Sequence, residues 1–221
     1  MKAIKPIPTE IESVYKELQS RVTWLHGRWI CYRQLYAASQ KRIDLLNESG
    51  GTFFFIVQEV LYDEVQVTLS KLTDPATSQK RFENLSLEQL QGRLEILGDP
   101  NLAVACRKLL DTLHTQCSPF RVRRDKKLAH LDLPTALRTG PQPLPAISRQ
   151  MVEDALLTIR TYLNTIEAHY NDSELRYEQF VMASDGEALI ATLQAGQRYE
   201  ELVKERQIAS DDWRKGKWHD A

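Results

Sequence analysis

The chain has 221 residues, of which 42% are hydrophobic and 27% are charged, and its formal net charge is −1. This ordinary composition excludes a disordered or collagen-like chain, and the small net charge excludes a global attraction to nucleic acid or membrane. The N-terminus lacks the apolar segment of a signal peptide, no apolar run is long enough to span a bilayer, and the three cysteines show no CxxC spacing. We therefore expect a cytoplasmic protein without a disulfide framework.

Apolar residues three or four positions apart predict a first long helix over residues 9–36, which begins at a capping box of Thr9 and Glu12. A short polar helix should follow over residues 39–48. The Gly50-Gly51 pair in the next stretch should then break the chain.

Three further helices are expected in the middle of the chain. One runs from about Thr52 and stops before Pro75, and the next begins at a capping box led by Ser86. The third extends to Cys117, where Ser118-Pro119 has the pattern of a fresh N-cap followed by proline.

The last part of the chain alternates between proline-rich loop and helix. A segment over residues 121–131 should end at Pro134, and residues 134–145 contain four prolines and a glycine, which is typical of a loop. Ser148 predicts the start of a long helix that reaches Tyr170, and residues 171–183 show no clear pattern.

A capping box of Ser184 and Glu187 predicts a final helix, and the sequence from Ile208 onward is polar apart from Trp213 and Trp218, as in a flexible tail. Together these patterns predict an all-α protein, an antiparallel helical bundle with an extra C-terminal helix. We expect the bundle to span residues 1–170 and the C-terminal extension residues 171–221. Trp24, Trp29 and the Phe53–Phe55 run are expected in the core.

The motifs of several enzyme classes are missing. The sequence contains no Walker A loop, no GxGxxG, no HExxH and no GxSxG, and its five histidines are scattered, with no two of them at metal-ligand spacing. Nucleotide hydrolase, metal hydrolase and serine esterase activities therefore lack support, and we expect neither a metal nor another cofactor.

One stretch has the composition of a site for chemistry. Between Arg121 and His130 lie five cations and one carboxylate. Arginine presents a fork of donors that fits a phosphate group, and histidine titrates near neutral pH, so this stretch predicts phosphate binding with proton transfer. The alternative explanation is a solvated basic face at a helix end.

The stretch Arg124-Asp125-Lys126-Lys127-Leu128-Ala129-His130 resembles the signature of the HEPN superfamily, an arginine and a polar residue with a histidine four to six positions after the arginine. Continued by Leu131-Asp132, it is similar to the branch named after abortive-infection protein U. Leu72-Thr73-Asp74-Pro75 and Asn84-Leu85-Ser86-Leu87 also resemble that branch. The resemblance covers roughly residues 10–170.

The resemblance implies a helical bundle, usually dimeric, that acts as a metal-independent endoribonuclease in toxin or phage-defence systems. It makes Arg124 and His130 the catalytic pair, and a toxin role implies a partner protein that inhibits it. The phosphate-binding cations would be Arg121, Arg123, Lys126 and Lys127. Many family members carry a tyrosine two residues after the histidine, where this chain has Asp132.

Six residues along an ideal α-helix place Arg124 and His130 roughly 120° apart. They converge only if the helix is distorted, if the long arginine side chain bends round, or if a second subunit completes the site. The last option predicts a homodimer with the two copies of residues 121–130 near the twofold axis.

Three carboxylates are candidates for tuning His130. Asp125 lies within the motif, Asp132 is close in sequence, and Asp63 beside Glu64 interrupts an otherwise apolar helix. For Asp63 and Glu64 the alternative is an ordinary surface or ion-paired carboxylate.

Two functions therefore stay open. The first is a HEPN-type endoribonuclease that cuts RNA through attack by its 2′-hydroxyl. The second is a non-catalytic helical module that binds RNA, a nucleotide or a partner protein through the same basic stretch.

Overall fold

The computed structural model describes residues 6–79, 81–140 and 143–208. The described residues are mostly helical, which confirms the predicted all-α class. Their α-helices are α1 (Thr9–Tyr36), α2 (Gln40–Leu72), α3 (Leu87–Leu97), α4 (Pro100–Arg123), α5 (Leu133–Ala136), α6 (Arg149–Asn171) and α7 (Gly186–Lys204). A π-helical turn covers Arg124–Leu128, a 3-10 turn covers Tyr177–Gln179, and an antiparallel hairpin pairs β1 (Thr77–Ser78) with β2 (Phe82–Glu83). None of the described helices is long and apolar enough to cross a membrane.

The first of two compact units contains residues 6–29, 60–79, 81–140 and 143–181. The Tyr15 hydroxyl donates to Glu167 at 2.5 Å, and the Trp29 indole donates to Glu153 at 2.7 Å. The residue of α1 that comes later in the chain thus binds the residue of α6 that comes earlier, so α1 and α6 are antiparallel. Helix α4 packs against α3 and α6. Fully buried residues of this core include Ile11, Leu18, Val22, Leu69, Leu90, Leu110, Phe120, Ile159 and Leu163.

The second unit contains residues 30–59 and 182–208. Its core is formed by Leu35, Leu45, Leu46, Phe54 and Ile190, with Tyr36 and Leu193 packed against them. One ion pair of this unit joins Arg42 to Glu187 through two hydrogen bonds of 2.6 and 2.7 Å. Residues 171–181 thus pack with the first unit and α7 with the second, while an independent domain over residues 171–221 stays a prediction.

One of two predicted breaks in the helices is present in the structure. The break predicted at Gly50-Gly51 is a kink inside α2, where Gly50 has non-helical backbone angles. The predicted restart at Ser118-Pro119 is wrong, because α4 runs through Pro119 to Arg123. A proline inside a helix costs about 3 kcal/mol, but Cys117 and Phe120 on either side are buried and continue the apolar stripe, which offsets that cost.

Helix ends also differ from the predictions. The first backbone bonds of α1 run to the carbonyl of Pro8, not to a Thr9 cap, and Asp185 instead of Ser184 caps α7. Pro134 lies in the first turn of α5, where its missing N–H is no loss. The Ser86 and Ser148 caps are confirmed.

The exposure of the aromatic residues was partly mispredicted. Trp29 and Phe54 are buried as expected, whereas Trp24, Phe53 and Phe55 are more than half exposed. A run of three adjacent aromatics on a helix spans most of its circumference, so one face cannot bury all of them. The tail tryptophans, Trp213 and Trp218, lie outside the described residues.

The buried His26 predicts a pH-dependent stability. Its ring is 2% exposed and stacks on Tyr177, and burial, with Arg160 as a second cause, lowers the pKa of His26 to about 4. The unfolded chain binds a proton at His26 near pH 6.5, whereas the native chain binds it only near pH 4. The contribution of the neutral His26 to the free energy of unfolding is therefore fully present above pH 6.5 and is lost as the pH falls from 6.5 to 4. At about 1.4 kcal/mol per pKa unit, the loss is about 3 kcal/mol.

Urea unfolding of the wild type and of His26→Phe at several pH values between 7 and 4 measures this loss. The phenyl ring keeps the stack on Tyr177 without a titrating group. We expect the difference in unfolding free energy between the two chains to shift in favour of the variant as pH falls. Parallel curves for the two chains would show that His26 is not responsible.

Candidate catalytic site at the end of helix α4

The chain widens from an α-helix into a π-helical turn at the predicted motif. The amide of Ala129 donates to the carbonyl of Arg124 at 2.7 Å, and the amide of Asp132 donates to that of Lys126 at 3.1 Å. These bonds span five and six residues instead of four. The separation of about 120° between Arg124 and His130 therefore does not apply, because α4 ends at Arg123. Single π turns occur frequently at functional sites.

Two carboxylates fix the guanidinium of Arg124. Its Nη1 donates to both oxygens of Asp74 at 2.7 and 3.0 Å, and its Nε donates to Asp125 at 2.9 Å. The Arg124 side chain is only 18% exposed. Burial lowers its pKa, but the hydrogen bonds to Asp74 and Asp125 outweigh burial and raise the pKa above its ordinary value. Among the described residues no partner binds Nη2, which leaves that group for a ligand.

Asp74 is the contact that sequence reasoning missed. It follows the C-terminus of α2 and lies fifty positions before Arg124, so no local spacing predicts the pair. The only signal was its place in Leu72-Thr73-Asp74-Pro75, which resembles the abortive-infection branch but assigns no role to Asp74.

Two of the predicted phosphate ligands are used to hold the fold. Nη2 of Arg121 donates to the carbonyl and, at 3.0 Å, to the hydroxyl of Thr73. Nε of Arg123 donates to the buried Gln66 at 2.8 Å, and its Nη1 reaches the carbonyl of Pro145 at 3.4 Å. These bonds tie the end of α4 to α2 and to the loop before α6.

The remaining predicted cations are available on the surface. Lys126, Lys127 and His130 are all exposed. Within the described part of the chain, none of the three forms a salt bridge, and His130 makes no hydrogen bond. An imidazole and two ammonium groups thus stand in solvent just beyond the fixed guanidinium.

The expected tuning carboxylates are differently placed. Asp132 accepts from the hydroxyl and amide of Thr135 at 2.6 and 3.0 Å, so it caps α5. These hydrogen bonds, with Lys126 as a further cause, lower the pKa of Asp132. Asp63 accepts from Gln66 at 3.4 Å and Glu64 from Thr68 at 3.0 Å, so neither contacts the motif directly. Of the three expected tuning carboxylates, only Asp125 is bonded to a predicted catalytic residue among the described residues, and that residue is Arg124.

Metal ligation has no candidate cluster here. Over residues 6–79, 81–140 and 143–208 no group of three or more His, Cys, Asp or Glu side chains is arranged to hold a metal ion.

The family model described as AbiU2, one of the HEPN families, matches residues 8–189. This match covers the bundle helices, the Arg124–His130 motif and the start of α7. The chain belongs to the AbiU2 family of the HEPN superfamily. No curated protein and no solved structure matches it significantly. The AbiU2 match makes this chain a HEPN module of an abortive-infection family. It also reaches further toward the C-terminus than the 10–170 span of the resemblance noted from the sequence.

Proposed function

We propose that this AbiU2-family protein is a metal-independent endoribonuclease of a prokaryotic defence or toxin system. The observation that carries the proposal is the guanidinium of Arg124, fixed by Asp74 and Asp125 one π turn before the exposed His130. A fixed donor group and a histidine open to solvent are the two parts that phosphodiester transfer needs.

In the proposed reaction the 2′-oxygen of a ribose attacks the adjacent phosphorus, and the bond to the 5′-oxygen of the next nucleotide breaks. The imidazole of His130 takes the 2′-hydroxyl proton or donates one to the leaving 5′-oxygen. Nη2 of Arg124 stabilises the charge that builds on the phosphate oxygens, and Lys126 and Lys127 bind flanking phosphates. The products are a 2′,3′-cyclic phosphate and a 5′-hydroxyl.

This chemistry is tested by incubating the purified protein with RNA and with DNA of the same sequence, each in the presence of a chelator. We expect RNA fragments that end in 2′,3′-cyclic phosphate, and intact DNA, because only RNA carries the 2′-hydroxyl nucleophile. Cleavage of DNA, or a need for added divalent metal, would contradict the mechanism.

A second candidate function is a non-catalytic module that binds RNA or a nucleotide. It is favoured by the two carboxylates on Arg124, which already neutralise its charge, and by the exposed lysines Lys126 and Lys127. Tight RNA binding without cleavage of varied RNAs would support this function instead.

We further propose that the protein is a homodimer whose two motifs meet near the twofold axis. Support comes from the apolar residues beside the motif: Leu131, Leu133 and Leu137 are 84%, 67% and 61% exposed. Exposed leucines grouped next to a functional site are typical of an interaction surface. A dimer formed there would bring four lysines and two histidines to one cleft.

Leu131→Glu is expected to convert the dimer into a monomer, as measured by light scattering. Burying a leucine is worth about 1.5–3 kcal/mol, and a twofold interface uses each residue twice, so the dissociation constant should rise about a hundred- to ten-thousand-fold. Ile96→Glu is the matched control, since Ile96 is 82% exposed on α3. A wild-type protein that is monomeric and still cuts RNA would dismiss the dimeric site.

A further inference from the structure

The β1–β2 hairpin begins at the residues that hold the motif. Thr73 accepts two hydrogen bonds from Arg121, and Asp74 accepts two from Arg124. The hairpin closes on itself just beyond them, where Asn84 donates from its side chain to the carbonyl of Pro75 and from its amide to that of Ala76, both at 2.8 Å. The hairpin therefore begins three residues after Asp74, the residue that binds Arg124.

The second strand of this hairpin, β2, exposes an aromatic ring to solvent. Phe82 is 56% exposed, and its described ring contact is with the guanidinium of Arg81, 5.7 Å from the ring centre. Arg81 is also exposed. A short two-stranded hairpin gains little stability from such a ring, because most of the ring buries nothing. The pair thus offers a π-face together with a cation, the combination that single-stranded nucleic acid binds.

The hairpin is short enough for Phe82 to reach the same RNA strand. Ser78 lies four residues after Asp74, which is at most about 14 Å along an extended chain, and Phe82 is its cross-strand partner about 5.5 Å away. Phe82 therefore lies at most about 20 Å from Asp74, a distance that no more than about six stacked nucleotides span at 3.4 Å each.

We propose that Phe82, with Arg81 over its ring, stacks on an unpaired base of the RNA a few nucleotides from the scissile phosphate. This inference rests on the proposed function, and it adds a subsite on the β1–β2 hairpin that binds an unpaired base. Stacking does not discriminate strongly among bases, so the contact selects an unpaired strand more than a sequence. A base inside a duplex has both faces covered and is excluded.

The test measures binding instead of cleavage, with a short 2′-O-methyl RNA strand that cannot be cut because its 2′-oxygen is blocked. Phe82→Ala and Phe82→Leu are each expected to raise the dissociation constant about five- to 150-fold, the range for one lost base stack. Phe82→Trp should retain wild-type binding, since it keeps the π-face. Ile96→Ala is the matched control for loss of an exposed apolar side chain of the same unit.

A second set of strands carries an abasic nucleotide at one position each. At the position that stacks on Phe82, the wild type and Phe82→Ala should bind equally weakly, whereas at other positions the difference between them should persist. This readout is insensitive to a merely structural role of Phe82, which would weaken binding of every strand alike.

Three outcomes overturn the stacking inference but not the proposed function. Phe82→Ala could bind RNA as tightly as the wild type, or Phe82→Leu could bind it as tightly as Phe82→Trp. The third outcome is an equal effect of Phe82→Ala on the dissociation constant at every abasic position. A change of oligomeric mass in Phe82→Ala with unchanged RNA binding assigns the ring to a protein contact instead. Absence of RNA binding and cleavage in the wild type overturns the proposed function itself, whereas cleavage that is indifferent to Phe82 leaves that function standing.

Discussion

His130→Ala is expected to lower the rate of RNA cleavage about a hundred- to ten-thousand-fold, the usual contribution of a single general acid–base residue. The proposed reaction moves one proton off the 2′-oxygen and one onto the leaving oxygen. Among the described residues of the motif, His130 is the only imidazole, the side chain that acts most often as a general acid or base.

The loss should come without unfolding. The His130 side chain is exposed and makes no hydrogen bond with any residue that the structure describes, so its removal leaves no buried group unsatisfied. Exposed positions of this kind usually change stability by less than about 0.5 kcal/mol. Circular dichroism and the urea midpoint should therefore match those of the wild type.

His169→Ala is the matched control, because His169 lies on α6 and packs on the ring of Tyr170 at 4.7 Å. It should retain full cleavage. A chain with alanine at position 130 that cuts RNA as fast as the wild type would eliminate the proposed mechanism, since no other described motif residue supplies the proton transfer.

Much of the fold could be predicted because its determinants are local. The stripe of apolar residues in α6 and the caps Ser86 and Ser148 depend only on neighbours within one or two turns. The errors arose where tertiary packing overrode a local signal. Burial of Cys117 and Phe120 carried α4 through Pro119.

The site was predicted less completely for the same reason. Arg124, Asp125 and His130 could be proposed because their short stretch resembles the HEPN signature. The pairing of Arg124 with Asp74, fifty residues away, follows from the packing of α4 against the end of α2 and has no local signature. The use of Arg121 and Arg123 as structural ties also depends on partners in α2 and in the loop before α6.

Arg124→Lys is expected to lower kcat about a hundred- to a thousand-fold, the usual cost of removing one donor to a developing oxyanion. Lysine keeps the charge, but its ammonium cannot hold Asp74 with two hydrogen bonds and Asp125 with a third while a further donor faces the phosphate. Unchanged cleavage by this variant would show that a positive charge alone is enough, and that the fixed guanidinium has no role.

Asp74→Asn tests whether Asp74 positions Arg124 for catalysis or holds Arg124 in an inactive state. If Asp74 positions the guanidinium, the amide should lower kcat by up to about 100-fold, because a displacement near 1 Å has such effects. The same change removes a negative charge near the bound phosphates, so KM for RNA should fall rather than rise. Asp63→Asn is the matched control, because Asp63 lies on α2 and its one hydrogen bond with the described residues is from Gln66. A rise in kcat for Asp74→Asn would mean that Asp74 restrains Arg124 in an inactive state, and equal losses in both aspartate variants would point to α2 as a whole. A fall in kcat together with a fall in KM is the result that a general loss of stability cannot produce.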